Sequence, residues 1–256
     1  MNGFLAFLKK EFFELSRSGR LMILGIIFVV LGIMNPAIAK LTPWILEMSA
    51  DSFKDQGIII SDVTVTAMDS WGQFVKNIPM ALIATVIMFS GTFTGEYAKG
   101  TLIPIVTKGL SRNNVIISKT IFMFILWSAC FWLTFGISYG YTAYYWDNSA
   151  VSNLAFISFC WWLMGIFLIC LLTLFSSFSN SSVQVILGIG GVYAVMFIAG
   201  MVGKIKEYLP THILESTPLL TDLSKPDDYT GAIIITIALS ALSLLASLPL
   251  MHKRQL

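Results

Sequence analysis

Residues 148–203 read NSAVSNLAFISFCWWLMGIFLICLLTLFSSFSNSSVQVILGIGGVYAVMFIAGMVG and contain no Asp, Glu, Lys or Arg. A helix crosses a hydrocarbon core with about 20 mainly apolar residues, so this stretch is too long for one crossing. The polar run Ser176-Ser177-Phe178-Ser179-Asn180-Ser181-Ser182 is a turn signal that divides it into two. The rest of the chain repeats the theme. Leu21–Ala39, Asn77–Gly95, Thr120–Trp146 and Tyr229–Met251 are further windows without acidic or basic side chains. Six spans follow, at about 21–39, 77–95, 118–145, 154–177, 182–203 and 231–251. The expected fold is an all-α polytopic membrane protein, a single transmembrane domain over residues 1–256.

Composition agrees. Of 256 residues, 56% are hydrophobic and only 12% charged, about half the usual globular share. Mean hydropathy is +0.80. A soluble enzyme, a disordered chain and a nucleic-acid binder are all poor fits. The first window lacks a small-residue cleavage site, so it reads as a span and not as a signal peptide. Cys130, Cys160 and Cys170 all lie in apolar runs with no CxxC pair, which argues for packing and against a disulfide framework or a metal cluster.

An even number of spans puts both termini on one side. That side, with the 96–119 loop and the serine-rich turn, carries ten Lys or Arg against three acids, a net +7. The other side carries six lysines against eleven acids, a net −5. Basic loops stay in the cytoplasm, so both termini are expected there. Phe4–Arg17 (FLAFLKKEFFELSR) places Phe4, Leu5, Leu8, Phe12 and Leu15 near one helical face, with Lys9, Lys10, Glu14 and Arg17 largely elsewhere. An amphipathic helix over 3–18, lying in the membrane interface, is expected. Ser16 to Arg20 supplies a breaker between it and the first span. The outer stretch 204–230 mixes Pro210, Pro218 and Pro226 with Leu209, Ile213, Leu214, Leu219 and Leu220, which fits short helices returning to the membrane surface. The other outer loop, Leu41–Val75, is acidic and without clear period.

Chemistry is scarce. The six windows hold no ionisable carboxylate or amine of the kind that ion-coupled carriers need, and a charge at the bilayer centre costs roughly 2.5–3.5 kcal/mol. No filter-like loop points to a channel. There is no GxSxG and no HExxH. His212 and Glu215 share a helical face at most, and two ligands do not make a metal site. Gly95 to Thr101 has P-loop-like glycine spacing, but no lysine stands between Gly100 and Thr101. Any ATP therefore belongs to another chain. The 96–119 loop stands out because Leu102, Ile103, Ile105, Val106 and Leu110 are ringed by Lys99, Lys108, Arg112 and Lys119. An apolar patch with a charged rim, held outside lipid, is a protein-docking pattern.

Glu96, Gly100-Thr101-Leu102, Leu110-Ser111-Arg112 and Lys119 together resemble the signature of type-2 ABC exporter permeases, the ABC-2 family. In that family an acidic residue ends the second span and Gly-Thr-Leu opens a short cytoplasmic coupling helix, here within 96–114. The resemblance implies ATPase-coupling roles for Glu96, Gly100, Thr101, Leu102, Ile105 and Arg112. Lys9, Lys10, Phe12 and Arg17 would belong to the family's elbow helix, and 204–230 would be its outer re-entrant segment. One departure is Leu110, where the family usually has proline, so the coupling helix is expected to be short or to start late. The resemblance also implies two permeases, identical or related, paired around a path lined by the second and fifth spans. Two copies of a cognate ABC ATPase would bind the ATP and magnesium, with no cofactor on this chain.

Path or interface positions would be Thr85, Ser90, Gly91, Thr92, Gly95, Gln184, Gly188, Gly191 and Tyr193. Small residues let helices approach closely in lipid, although packing within one subunit would use the glycines equally well. A neutral lining suits an amphipathic or hydrophobic cargo such as a peptide, an antibiotic or a lipid-like molecule. The expected role is the permease subunit of an exporter in a bacterial cell membrane. Alternatives are a sodium-efflux or immunity permease of the same fold, or a membrane sensor or scaffold that transports nothing.

The topology is open to test. Single cysteines placed at Ser111 and Ser224 should react with an impermeant reagent from opposite sides of the membrane. Labelling of both from outside intact cells contradicts six spans.

Overall fold

A computed structural model describes residues 2–48, 64–98, 100 and 111–253. Their long elements are α1 (Asn2–Arg17), α2 (Arg20–Met48), α3 (Ala67–Ala98), α4 (Arg112–Tyr145), α5 (Leu154–Phe178) and α6 (Ser182–Ala199). Short helices α7 (Gly203–Lys206) and α8 (Thr217–Leu220) and the 3-10 turns Pro210–Leu214 and Pro226–Tyr229 then lead to α9 (Thr230–Lys253). No strand occurs among the described residues. Six helices, α2 to α6 and α9, are long and apolar enough to cross a membrane.

Three of the spans are longer than the charge-free windows. At 1.5 Å per residue, 29, 32 and 34 residues make α2, α3 and α4 about 44, 48 and 51 Å long, well beyond a hydrocarbon core of about 30 Å. The expected outer loop 41–75 is correspondingly smaller, because a charge ends a hydrophobic window without ending a helix. Lys40 stays in α2 by setting its ammonium 4.4 Å over the Tyr145 ring. The start of α3 is fixed by Asp69, whose carboxylate accepts from the backbone N–H and hydroxyl of Thr66 at 2.8 and 2.9 Å. This is one half of a reciprocal cap, with negative charge at the helix N-terminus.

The tightest seam joins α2 to α4. Pro36 has no N–H, so the Gly32 carbonyl loses its helical donor. Ser138 of α4 donates to that carbonyl at 2.9 Å and accepts from Asn35 Nδ2 at 3.0 Å. Asn77 of α3 donates to Asn35 Oδ1 at 2.9 Å, which ties in the third helix. Thr134 donates to the Phe28 carbonyl one turn away at 2.8 Å. A Cβ on Gly32 would lie 3.0 Å from Ile137, so the approach needs glycine.

Helix α5 is the most enclosed span. Its Gly165 faces the Trp127 indole so closely that a Cβ there would sit 2.0 Å from the ring. Trp127 donates to the Trp162 carbonyl at 3.0 Å, and Trp162 donates to Ser128 Oγ at 2.9 Å. Of the aromatic residues of the third and fourth spans, Trp127, Phe131, Trp161 and Phe167 are buried, with Trp127 against Phe28 of α2 and Phe131 against Phe74 of α3, while Trp132 remains exposed. After the turn at Ser179 to Ser181, α6 runs back as the least covered span. Its start is capped by Ser181 Oγ, which accepts from the Gln184 N–H at 3.4 Å.

At the end of the bundle away from the termini, 203–229 forms a cap. Ile213, Leu219 and Leu220 are buried against the helices, which accounts for so many apolar residues in a connection. Trp161 Nε1 donates to Ser216 Oγ at 2.8 Å, and the Tyr229 hydroxyl donates to the Glu215 carbonyl at 2.7 Å.

The α4–α5 contact carries a prediction. Gly165→Val must displace Trp127, and overpacking of this kind costs about 1–3 kcal/mol or more. Thermal unfolding in detergent should fall by about 5 °C or more for this variant. Gly136→Ala, which meets nothing within 4 Å, should leave it unchanged.

Candidate coupling joint and translocation face

At the end of the bundle that carries the termini, α1 packs on α4 and reaches α3 through charged side chains. Phe7, Glu11 and Leu15, spaced four apart, are the buried stripe, whereas Phe12 and Phe13 are exposed. A carboxylate thus occupies the middle of the protein-facing side, because α4 supplies its partner. Lys119 is 1% exposed and its Nζ lies 2.9 Å from both oxygens of Glu11. The same ammonium is 3.1 Å from Glu96 Oε2. Lys10, more accessible, reaches Glu96 at 2.6 Å, Glu14 at 2.8 Å and Glu11 at 3.0 Å. Three carboxylates and two ammonium groups form one cluster shared by α1, α3 and α4.

The oxygens of Glu11, Glu14 and Glu96 lie within 4.8 Å of one another, close enough to hold a metal ion. The Lys10 ammonium already touches all three. A cavity of about 320 Å³ beside the cluster is lined by Ser18, Arg20, Gly91, Thr92 and Gly95 together with these acids. Removing one partner of a buried ion pair costs about 3–5 kcal/mol, because the other charge is left uncompensated. The cluster therefore specifies how α1 sits.

Both neighbouring turns are set locally. Gly19 at φ +71° ends α1, its N–H donating to the Ser16 carbonyl at 3.2 Å. Gly100 at φ +65° follows α3, its N–H donating to the Tyr97 carbonyl at 3.1 Å. Such left-handed positions at helix ends favour glycine. Ser111 caps α4 by accepting from the Asn114 N–H at 3.3 Å. Between them, Thr101, Leu102 and Ile105 fall outside the described residues. Arg112 does not take the place beside Glu96 that the two lysines fill; its guanidinium donates to the Met251 carbonyl of α9 at 3.4 Å. Of the expected elbow residues, Lys10 belongs to the cluster, and Lys9, Phe12 and Arg17 lie on the exposed side, with Lys9 5.8 Å over the Phe13 ring.

The second candidate site is the shared face of α3 and α6. Gly191 of α6 meets nothing within 4 Å of an added Cβ, so its face is open, whereas Gly91, Thr92 and Gly95 of α3 line the cavity beside the charge cluster. Tyr193 is exposed and lines a cavity of about 490 Å³ with Leu82, Val86, Trp161 and Ile189. Gln184 is exposed and its Oε1 accepts from the Asn180 N–H at 2.8 Å. Three further expected path residues are also placed differently. Thr85 and Ser90 are buried within the subunit, their hydroxyls donating back to the Ala81 and Ile87 carbonyls at 2.8 and 2.9 Å. Gly188 packs on Phe175 of α5, where a Cβ would lie 2.5 Å from the ring. Helical hydroxyls satisfy themselves on the preceding turn, so a polar residue in a span need not face a path.

In the sequence Glu11 had no role of its own, and Lys119 entered only as a mark of the family signature and of the loop's basic rim, so their pairing was not expected. The signal was present in each case. Glu11 is four residues from both Phe7 and Leu15, and Lys119 stands inside the apolar run VIISKTIFMF at 115–124.

The cluster makes the seating of α1 depend on pH. Burial lowers the Lys10 pKa, but hydrogen bonds to Glu14 and Glu96 and the charges of Glu11 and Glu96 outweigh it, and the net shift is upward from 10.5. Glu14 moves below 4.5, chiefly through its hydrogen bond with Lys10. A raised lysine stabilises fully below 10.5 and loses the effect as pH climbs through its folded value. A lowered carboxylate stabilises above 4.5 and loses the effect as pH falls through its folded value. A spin label on cysteine at position 17 should be least mobile between these limits and loosen on either side. Lys10→Met should abolish the alkaline step.

Comparison with known proteins finds no match among curated relatives. A family model described as "ABC-2 family transporter protein" matches residues 5–246, which takes in α1, all six spans and the cap. With six apolar helices in the matched region, the chain belongs to the ABC-2 family and is a multi-pass membrane permease subunit of an ABC transporter.

Proposed function

We propose that the chain is the membrane half of a bacterial ABC exporter that moves an amphipathic or hydrophobic cargo outward. The observation that carries this reading is the uncovered α3–α6 face. It combines the open face of Gly191 with an apolar cavity of about 490 Å³ walled by both helices, within the usual range for small-molecule sites. No Asp, Glu, Lys or Arg lines that cavity, which favours an apolar cargo over a bare ion. Two permeases would meet through these faces, each with one separate ATPase chain carrying ATP and magnesium. The ATPase would dock at the connection between α3 and α4, in the cytoplasm with both termini. Closure on ATP would then push this connection and shift the path between inward- and outward-open states, a population shift between two packings.

Two variants test the two halves of the reading. Leu102→Asp and Ile105→Asp should each abolish co-purification of the ATPase while the permease stays in the membrane, since an unpaired carboxylate in a dry contact is heavily penalised. Gly191→Leu should lower transport without preventing insertion, and cysteines along Val183–Gly200 should crosslink two permeases with a period of about 3.6 residues. Retained ATPase binding in both Asp variants refutes the docking site. Crosslinks confined to α4 refute the pairing face.

A further inference from the structure

We propose that Lys119 is the positioning residue that makes α1 move with the ends of α3 and α4, so that the elbow helix is a driven part of the transporter. The proposal rests on the exporter reading above, because it needs an ATPase acting on the connection between those helices.

The geometry is specific. Among the described residues, every close partner of the Lys119 ammonium comes from α1 or α3. Glu11 of α1 holds it at 2.9 Å through both oxygens, and Glu96 of α3 lies 3.1 Å away. The rings of Phe7, from α1, and Phe93, from α3, flank it at 5.7 and 5.8 Å. Lys119 itself is on α4, eight residues past Ser111, and Glu96 is four residues before Gly100. One ammonium therefore joins the elbow helix to both ends of the α3–α4 connection.

The two lysines of the cluster differ in kind. Lys10 shares an element with two of its three acids and keeps 38% of its side-chain surface exposed, so water can replace its contacts. Lys119 is sealed at 1% exposure, and separating it from Glu11 would leave Glu11 only the more accessible Lys10 and Lys119 only Glu96, in a largely apolar setting. The apolar attachment of α1 is divided: Phe7 packs with Val115 and Tyr97, while Leu15 joins the main core with Leu8 against it. A buried ion pair contributes little net stability over apolar residues of the same shape, but it resists separation and fixes one register. That is the property a transmission joint needs.

The test uses the complete permease with the ATPase chain that co-purifies with it. A cysteine replaces Phe13, on the exposed side of α1; the three native cysteines are buried. Labelling at position 13 is measured with and without trapping by ATP and vanadate. In the native background, trapping should change the rate. In Lys119→Met that change should be lost while the ATPase still binds and ATP is still hydrolysed, and Lys119→Arg should restore it. Glu11→Met/Lys119→Met, which leaves no stranded charge in that pair, should also lose it and guards against simple misfolding. A nucleotide-dependent change that persists in both Met variants overturns the proposal, as does a native complex whose α1 labelling ignores nucleotide. If no ATPase accompanies the native permease, the exporter reading itself fails and takes this inference with it.

Discussion

A polar group inside this bundle must find its partner within the protein, because lipid offers none. An unmet backbone carbonyl or side chain in hydrocarbon costs several kcal/mol. That constraint explains three of the ties between the helices. The Gly32 carbonyl, orphaned by Pro36, takes the Ser138 hydroxyl. Asn35, buried in α2, is met by Ser138 and Asn77. Lys119, buried in α4, is met by Glu11 and Glu96. Each link crosses between helices, so each selects one packing from the many that apolar contact alone would allow.

The same constraint separates fixed parts from free ones. Helices α2, α3 and α4 share directional bonds, and α5 is locked to α4 through Trp127 and Gly165. Helix α6 is different. Its side-chain hydrogen bonds are local ones at its capped start, and most of its surface is apolar and uncovered. A span of this kind can slide or accept a partner without breaking buried polar contacts, which suits the wall of a translocation path. The cap at 203–229 closes the opposite end of the bundle and seats Trp161, itself a wall of the apolar cavity.

Chemistry at the terminal end follows from the sidedness of charge. Positive side chains concentrate there, and acids are few. All three of that side's acids, Glu11, Glu14 and Glu96, nevertheless gather in one cluster with two lysines. Charge placement along the chain thus serves orientation in the membrane, while the pairing of particular charges serves the seat of α1. The two roles coexist because the cluster lies near a helix end, where desolvation is less severe than at the bilayer centre.

Six spans, the amphipathic α1 and the serine-rich turn at 179–181 were legible in the sequence, because transfer into lipid and turn formation depend on local composition. The family likeness was legible for the same reason, since its marks lie within one short stretch. Helix ends were less so: α2 and α3 pass through Lys40, Asp69 and Lys76, which only a cap such as Thr66 with Asp69 or a ring such as Tyr145 makes tolerable. The meaning of single residues was decided by the tertiary structure alone. Gly188 and Gly191 read alike, yet one faces Phe175 and the other open space. Glu11 and Lys119 are 108 residues apart, and their pairing belongs to neither helix. Periodicity gives a residue its angle around a helix, but what stands opposite that angle is set by how the helices pack.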